Sequence, residues 1–231
     1  MSSLRRPSVL VFDVNETLSD MAPMADRFEE VGAPGHLSQV WFAALLRDAF
    51  ALTVAGVMEP FSRLAAEGLR VSLAHLPLNR RLEDAVQHIL DGFATLKVHP
   101  DVPEGIAALA DLGVRLATLS NGQASVAERL LEGADLERSF ERFLSVDGAG
   151  IWKPARGAYA YALAECNIDP GDAMLVAVHP WDIDGAQRAG LATAWINRGD
   201  GHYPGYFAQP DLTATSLGHL AEQLREMHLD S

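Results

Sequence analysis

The stretch VLVFDVNETLSD, residues 9–20, decides the fold. Its first four residues, Val9 to Phe12, are all apolar and do not alternate with polar ones. A strand with one wet face alternates, whereas a strand covered on both faces reads as a continuous apolar run, as in a parallel sheet with helices on either side. The run ends directly in a carboxylate, Asp13. In such sheets ligands bind beyond the carboxyl ends of the strands, so this strand points an acid at the edge where chemistry happens.

The same pattern recurs along the chain. Short apolar runs at 114–119, 143–146, 173–178 and 191–196 alternate with helical patterns at 103–112, 156–166 and 185–190. This alternation predicts an α/β class and a Rossmann-like parallel sheet. Residues 20–96 break it: no strand pattern is present, and "HLSQVWFAALLRDAFALTVAG" and "NRRLEDAVQHILDGFATL" carry apolar residues at helical spacing, with Asn79 as a candidate N-cap. The expectation is a core formed by residues 1–19 and 97–231, with an inserted helical cap at 20–96. Prolines and glycines in "KVHPDVPEG" mark the return to the core.

Composition narrows the partners. The 231 residues are 48% hydrophobic and carry a net charge of −13, which disfavours nucleic acid and anionic membrane surfaces. One cysteine, Cys166, excludes an internal disulfide and reads as a buried spectator on a helix. The opening "MSSLRRPS" is too short and polar for a secretory signal, and no apolar run approaches a membrane span. A cytoplasmic protein acting on a small molecule is the expectation.

Polar residues at the strand ends form an ordered set. Asp13 and Thr17 follow the first strand, Ser120 and Asn121 the second, Lys153 the third, and His179, Trp181 and Asp182 the fourth. Taken singly, each has a plain alternative as a cap, turn former or solvated side chain. Asp184 keeps that plain reading, as a carboxylate in the first turn of a helix.

In this order, the set resembles the haloacid dehalogenase superfamily of aspartate-nucleophile hydrolases, and within it the type II 2-haloacid dehalogenases. The resemblance covers nearly the whole chain, including "AWINRG" at 194–199. It implies a core with an inserted cap, Asp13 as nucleophile, Lys153 and Thr17 around it, Asp182 with His179 handling water, and a homodimer. Asn15 and Val178 separate the activities. A phosphoaspartate enzyme uses an acid two residues after the nucleophile, where this chain has Asn15, an amide that exchanges no proton at useful pH. Its Mg²⁺ needs a fourth-motif carboxylate, and Val178 stands there. No metal and no cofactor are therefore expected, and a short haloacid is the expected substrate. Displacement at another electrophilic carbon, such as a strained ring, and Mg²⁺-dependent phosphatase activity are the alternatives.

Departures from the type II pattern concern the substrate pocket. Where the branch has an aromatic residue and then glycine after the nucleophile, this chain has Asn15 and Glu16; where it has asparagine, this chain has His179. The cap arginine of the branch falls near Ala43, and Arg47, one helical turn on, is its candidate replacement. Ser120, Asn121, Asn15, Trp41, Arg47 and Trp181 are the candidate substrate-binding residues, with Asn121 a donor to the departing halide, Trp41 better suited to the core of the cap than to a substrate wall, and Arg47 equally readable as an exposed helix arginine.

Overall fold

The computed structural model describes residues 5–227; the first four residues of the opening segment lie outside them. Two compact units are present, one running to Ser19 and resuming at Val98, the other spanning Asp20–Lys97. The first holds six parallel strands: β1 (Val9–Phe12), β2 (Arg115–Ser120), β3 (Arg142–Ser145), β4 (Ala173–Ala177), β5 (Ala192–Ile196) and β6 (Leu212–Ala214). Their order is β3-β2-β1-β4-β5-β6, with Phe12 level with Thr118 on one side and Val176 on the other. The order reverses between β1 and β4, which opens a crevice at the carboxyl ends of those two strands.

The Asp20–Lys97 unit is all-helical: α1 (Met24–Glu29), α2 (Leu37–Val54), α3 (Phe61–Leu73) and α4 (Leu82–Ala94). Its core gathers Phe28, Phe42 and Phe93 around a fully buried Trp41, whose ring lies edge-on to Phe93 at 6.0 Å. Asn79 is not the cap of α4: Arg81 occupies that position without a side-chain bond, and the Asn79 amide instead donates to the Glu30 carbonyl at 3.0 Å. The expectation that no apolar run reaches span length also needs correction. The 18 residues of α2, with mean hydropathy 1.2, are long and apolar enough by length and composition. That apolarity has a use within the unit, where Trp41, Phe42, Leu45, Leu46 and Ala49 are buried.

The sheet-bearing unit carries α5 (Val102–Ala110), α6 (Ala124–Glu132), α7 (Val146–Ala149), α8 (Arg156–Cys166), α9 (Pro180–Ala189) and α10 (Leu217–Glu226). Strand β1 explains its own sequence. Leu10 and Phe12 face a core shared with α5, α6 and α10, while Val9 and Val11 face one shared with α8 and α9. All four are completely buried, so no alternation was available to see. Cys166 is buried at the end of α8.

Several boundaries differ from the sequence reading. β2 extends through Ser120, and β3 stops at Ser145 because Val146 starts α7. α9 begins five residues earlier than its periodicity suggested, since Pro180 is preorganised for a first helical position. His179 is thus its N-cap, and Asp182 lies in its first turn. Strand β6 escaped detection at three residues; Asp211 pins it to β5 by accepting from the Thr193 backbone at 2.9 Å.

Candidate active site

β1 delivers Asp13 to the crevice, and the Asp13 backbone still donates to Val176 of β4 at 3.0 Å. The carboxylate is nearly sealed, at 3% exposure. Its Oδ1 accepts from Lys153 Nζ at 2.9 Å and its Oδ2 from the Thr17 hydroxyl at 2.7 Å. Thr17 Oγ1 in turn accepts from the Val178 backbone at 3.1 Å, which ties the loop after β1 to the loop after β4. Arg198 completes that brace by donating to the Thr17 carbonyl at 2.9 Å.

Lys153 is fully buried between two carboxylates, donating also to Asp182 Oδ2 at 2.7 Å. Its backbone is set by Asn121, whose Oδ1 accepts from the Lys153 N–H at 3.0 Å. On the other side, α9 comes close because of Gly185. A Cβ there would sit 2.6 Å from Tyr159 Oη, 2.7 Å from Pro154 Cβ and 2.9 Å from the Pro154 carbonyl oxygen. The close approach brings Asp182 to the lysine, and Tyr159 on α8 donates to Asp182 Oδ1 at 2.6 Å. Both oxygens of Asp182 are therefore engaged.

His179 bridges two acids. Its Nδ1 lies 3.1 Å from Asp13 Oδ2 and its Nε2 2.7 Å from Glu16 Oε2. Trp181 stacks on the ring, centroids 4.9 Å apart. Glu16 adopts a left-handed backbone, φ 62°. That conformation explains the glycine of the type II pattern, and holding a side chain there costs about 1 kcal/mol. The backbone is fixed by His99, whose Nε2 lies 3.0 Å from the Glu16 carbonyl oxygen.

Charge follows from this geometry. Burial alone would raise the Asp13 carboxyl, but Lys153 and the hydrogen bond from His179 outweigh it and hold the group well below the usual carboxylate range. Lys153 is likewise buried, yet Asp13 and Asp182 keep its ammonium above the ordinary lysine value. For His179, burial is overcome by Asp13 and Glu16, pushing it up to about 9. Asp182 is raised by burial and by the neighbouring Asp13, against the pull of Lys153.

Of the residues singled out in the sequence, Asp13, Thr17, Lys153, His179 and Asp182 form one bonded network, with Trp181 against it. Asn121 is buried, and its amide oxygen braces the Lys153 backbone. Ser120 Oγ accepts from the Gly122 N–H at 2.9 Å and shapes the turn after β2. Asn15 is buried in the same loop system, its Nδ2 3.7 Å from where a Gly122 Cβ would lie. Within the helical unit, Trp41 is fully buried, its Nε1 donating to the Ala65 carbonyl at 3.1 Å. Arg47 has a 72% exposed side chain paired with Asp48 at 2.8 Å. Asp184 pairs with Arg188 at 2.6 Å and accepts from the Ala208 N–H. Tyr159 and Gly185 were not singled out. One is a helical tyrosine outside any strand end, and the other a helical glycine whose meaning depends on a neighbour 31 residues away in Pro154.

A strand-order reversal with a buried aspartate, lysine and second aspartate at its mouth sets a charged cluster where ligands bind in parallel α/β sheets. The family model of haloacid dehalogenase-like hydrolases matches residues 7–190, and the chain belongs to that family. Among relatives, it is 30% identical over 221 residues to (S)-2-haloacid dehalogenase 4A of Burkholderia cepacia, covering 94% of this chain and 91% of that one. It is also 30% identical to (S)-2-haloacid dehalogenase 1 of Pseudomonas sp. (strain CBS-3), covering 93% and 95%. A crystal structure of a dehalogenase with an intermediate complex superimposes with a TM-score of 0.87 at 27% identity, covering 95% of this chain and 97% of that one.

Proposed function

We propose that the protein hydrolyses the carbon–halogen bond of short 2-haloalkanoic acids to 2-hydroxy acids through an ester on Asp13, with inversion at carbon 2. The observation that carries this reading is the Lys153 ammonium held between Asp13 and Asp182 at 2.9 and 2.7 Å. It keeps a buried carboxylate ionised, as a nucleophile requires, while Asn15 stands where a phosphoryl-transfer enzyme places its acid. A halide leaves without a proton, so the first displacement asks nothing of that position. The names of the relatives, which are (S)-2-haloacid dehalogenases, support the same substrate class.

In this mechanism an Asp13 oxygen attacks carbon 2 in line with the halide, the carbon–halogen bond breaks, and the halide departs with the electron pair. Water then attacks Cγ of Asp13, not the substrate carbon. Lys153 and the Thr17 hydroxyl, each already on an Asp13 oxygen, are placed to stabilise the negative charge of the tetrahedral intermediate.

The test is halide release from a panel of haloacids led by (S)-2-chloropropionate, with and without chelator. Release that is insensitive to chelator is expected, and no release from any of them would sink the substrate class. A single turnover in ¹⁸O-water should label Asp13; label found only in product would exclude the ester.

A further inference from the structure

Glu16 and His179, two residues that depart from the type II pattern, stand in separate loops and are bonded to each other at 2.7 Å. On the dehalogenation reading above, we propose that His179 is the base of the second half-reaction and is armed by the first: alkylation cancels the Asp13 charge its Nδ1 faces, while Glu16 keeps Nε2 protonated and the ring aimed. His179 is then a catalytic residue, and Glu16 a positioning residue acting through it.

The geometry carries this assignment. Nδ1 lies 3.1 Å from an oxygen of the carboxyl group whose carbon the water must attack. Asp182 is less suited to be the base, since Lys153 and Tyr159 engage both its oxygens. The charged groups around the ring are Asp13 at the end of β1, Glu16 in the next loop, Lys153 on the far oxygen of Asp13, and Asp182 on α9 bonded to that lysine. His99 reaches the Glu16 backbone, and the Thr17 hydroxyl shares Oδ2. Of these, only Asp13 loses its charge in the reaction, so ester formation removes one of the two acids that hold the imidazolium protonated.

The proton balance is explicit. In the first half-reaction, ionised Asp13, imidazolium and haloacid give ester, neutral imidazole, halide and one proton released to solvent. In the second, the imidazole Nδ1 takes a proton from water as its oxygen bonds to Cγ. The tetrahedral intermediate breaks its bond to the alkoxy oxygen, which leaves as the 2-hydroxy acid with a proton from the imidazolium. Asp13, now protonated, returns its proton to Nδ1, and the starting ion pair is restored. The proton of the net reaction therefore appears with the halide and before the hydroxy acid.

Three variants test this with (S)-2-chloropropionate at neutral pH in weak buffer. His179→Ala should release one equivalent of chloride, accumulate an ester on Asp13 visible by intact mass, and hydrolyse it about 10²–10³-fold more slowly than wild type. Its chloride burst should carry no proton. Glu16→Gln, which keeps the histidine, should accumulate ester more mildly, release a proton with its chloride, and shift the acid limb of the hydrolysis rate to lower pH. The imidazole of His179, followed by NMR without substrate, should titrate at lower pH in Asp13→Asn than in wild type. Wild-type hydrolysis in His179→Ala, a proton released with its chloride burst, or an unmoved imidazole titration in Asp13→Asn would overturn the proposal while leaving dehalogenation intact. Absence of any halide release by wild type would overturn both.

Discussion

Removing the Lys153 ammonium should change both how stable the protein is and how its stability depends on pH. The side chain is 0% exposed, and its two partners are 4% and 0% exposed at 2.9 and 2.7 Å. Lys153→Met preserves much of the volume but leaves two buried carboxylates. Among the described residues, Asp13 retains Thr17 and His179, whereas Asp182 retains the Tyr159 hydroxyl. Stranding a buried charge in this way costs about 3–5 kcal/mol, a large share of a typical stability of roughly 5–15 kcal/mol. With a urea slope of about 3 kcal/mol per molar, the midpoint should fall by about 1–2 M at pH 7.

The pH dependence identifies the cause. Asp182 is raised even with the lysine present, and the lysine is its leading opposing influence. Without it the folded carboxyl rises further above the unfolded value near 3.8. A carboxyl raised on folding contributes its stability below the unfolded pKa and loses it as pH rises through the folded one. The variant should therefore lose less against wild type at pH 5 than at pH 7 in paired urea titrations. Equal losses at both pH values would mean that packing, not stranded charge, is responsible and would refute the electrostatic account.

Tyr159→Phe removes one donor from the buried Asp182 and should cost about 1.5–3 kcal/mol in urea unfolding, with a lower rate of halide release. Gly185→Ala adds a Cβ 2.6–2.9 Å from Tyr159 and Pro154; pushing α9 away should cost about 1–3 kcal/mol, and a crystal structure should show Asp182 drawn back from Lys153. In the helical unit, Trp41→Ala should cost about 3–5 kcal/mol, while Arg47→Ala at its exposed pair should stay within about 0.5 kcal/mol, both read by chemical denaturation.

Much of the fold was legible because its strands are short, apolar and punctuated, and strand ends in a parallel sheet have fixed chemical meaning. Asp13, Thr17, Lys153 and Asp182 could be named from that rule together with the resemblance. What stayed hidden depends on approach between distant segments. Gly185 matters only because Pro154 lies against it, and Tyr159 only because α8 turns its hydroxyl to Asp182. Nothing local reveals, either, that the Asn121 amide oxygen accepts from the Lys153 backbone. Glu16 stood out in the sequence as an anomaly without a role; its partner, His179, is 163 residues away.

The loop DVNET now poses a question about leaving groups. The proposed reaction expels two: a halide, which needs no proton, and then the alkoxide of a 2-hydroxy acid, which does. Asn15 serves the first and fails the second, because an amide has no proton to give. Lys153 is a poor substitute, because Asp182 still pairs its buried ammonium once the ester has neutralised Asp13. On the proposal above, His179, with Nδ1 3.1 Å from Asp13, takes a proton from water and returns it to the alkoxide. In that proposed role the His179 ring, in the loop after β4, supplies the proton that Asn15 cannot. On that proposal the strained Glu16 backbone has a use: it costs about 1 kcal/mol at a position where glycine would cost nothing, and it sets a carboxylate 2.7 Å from the His179 ring.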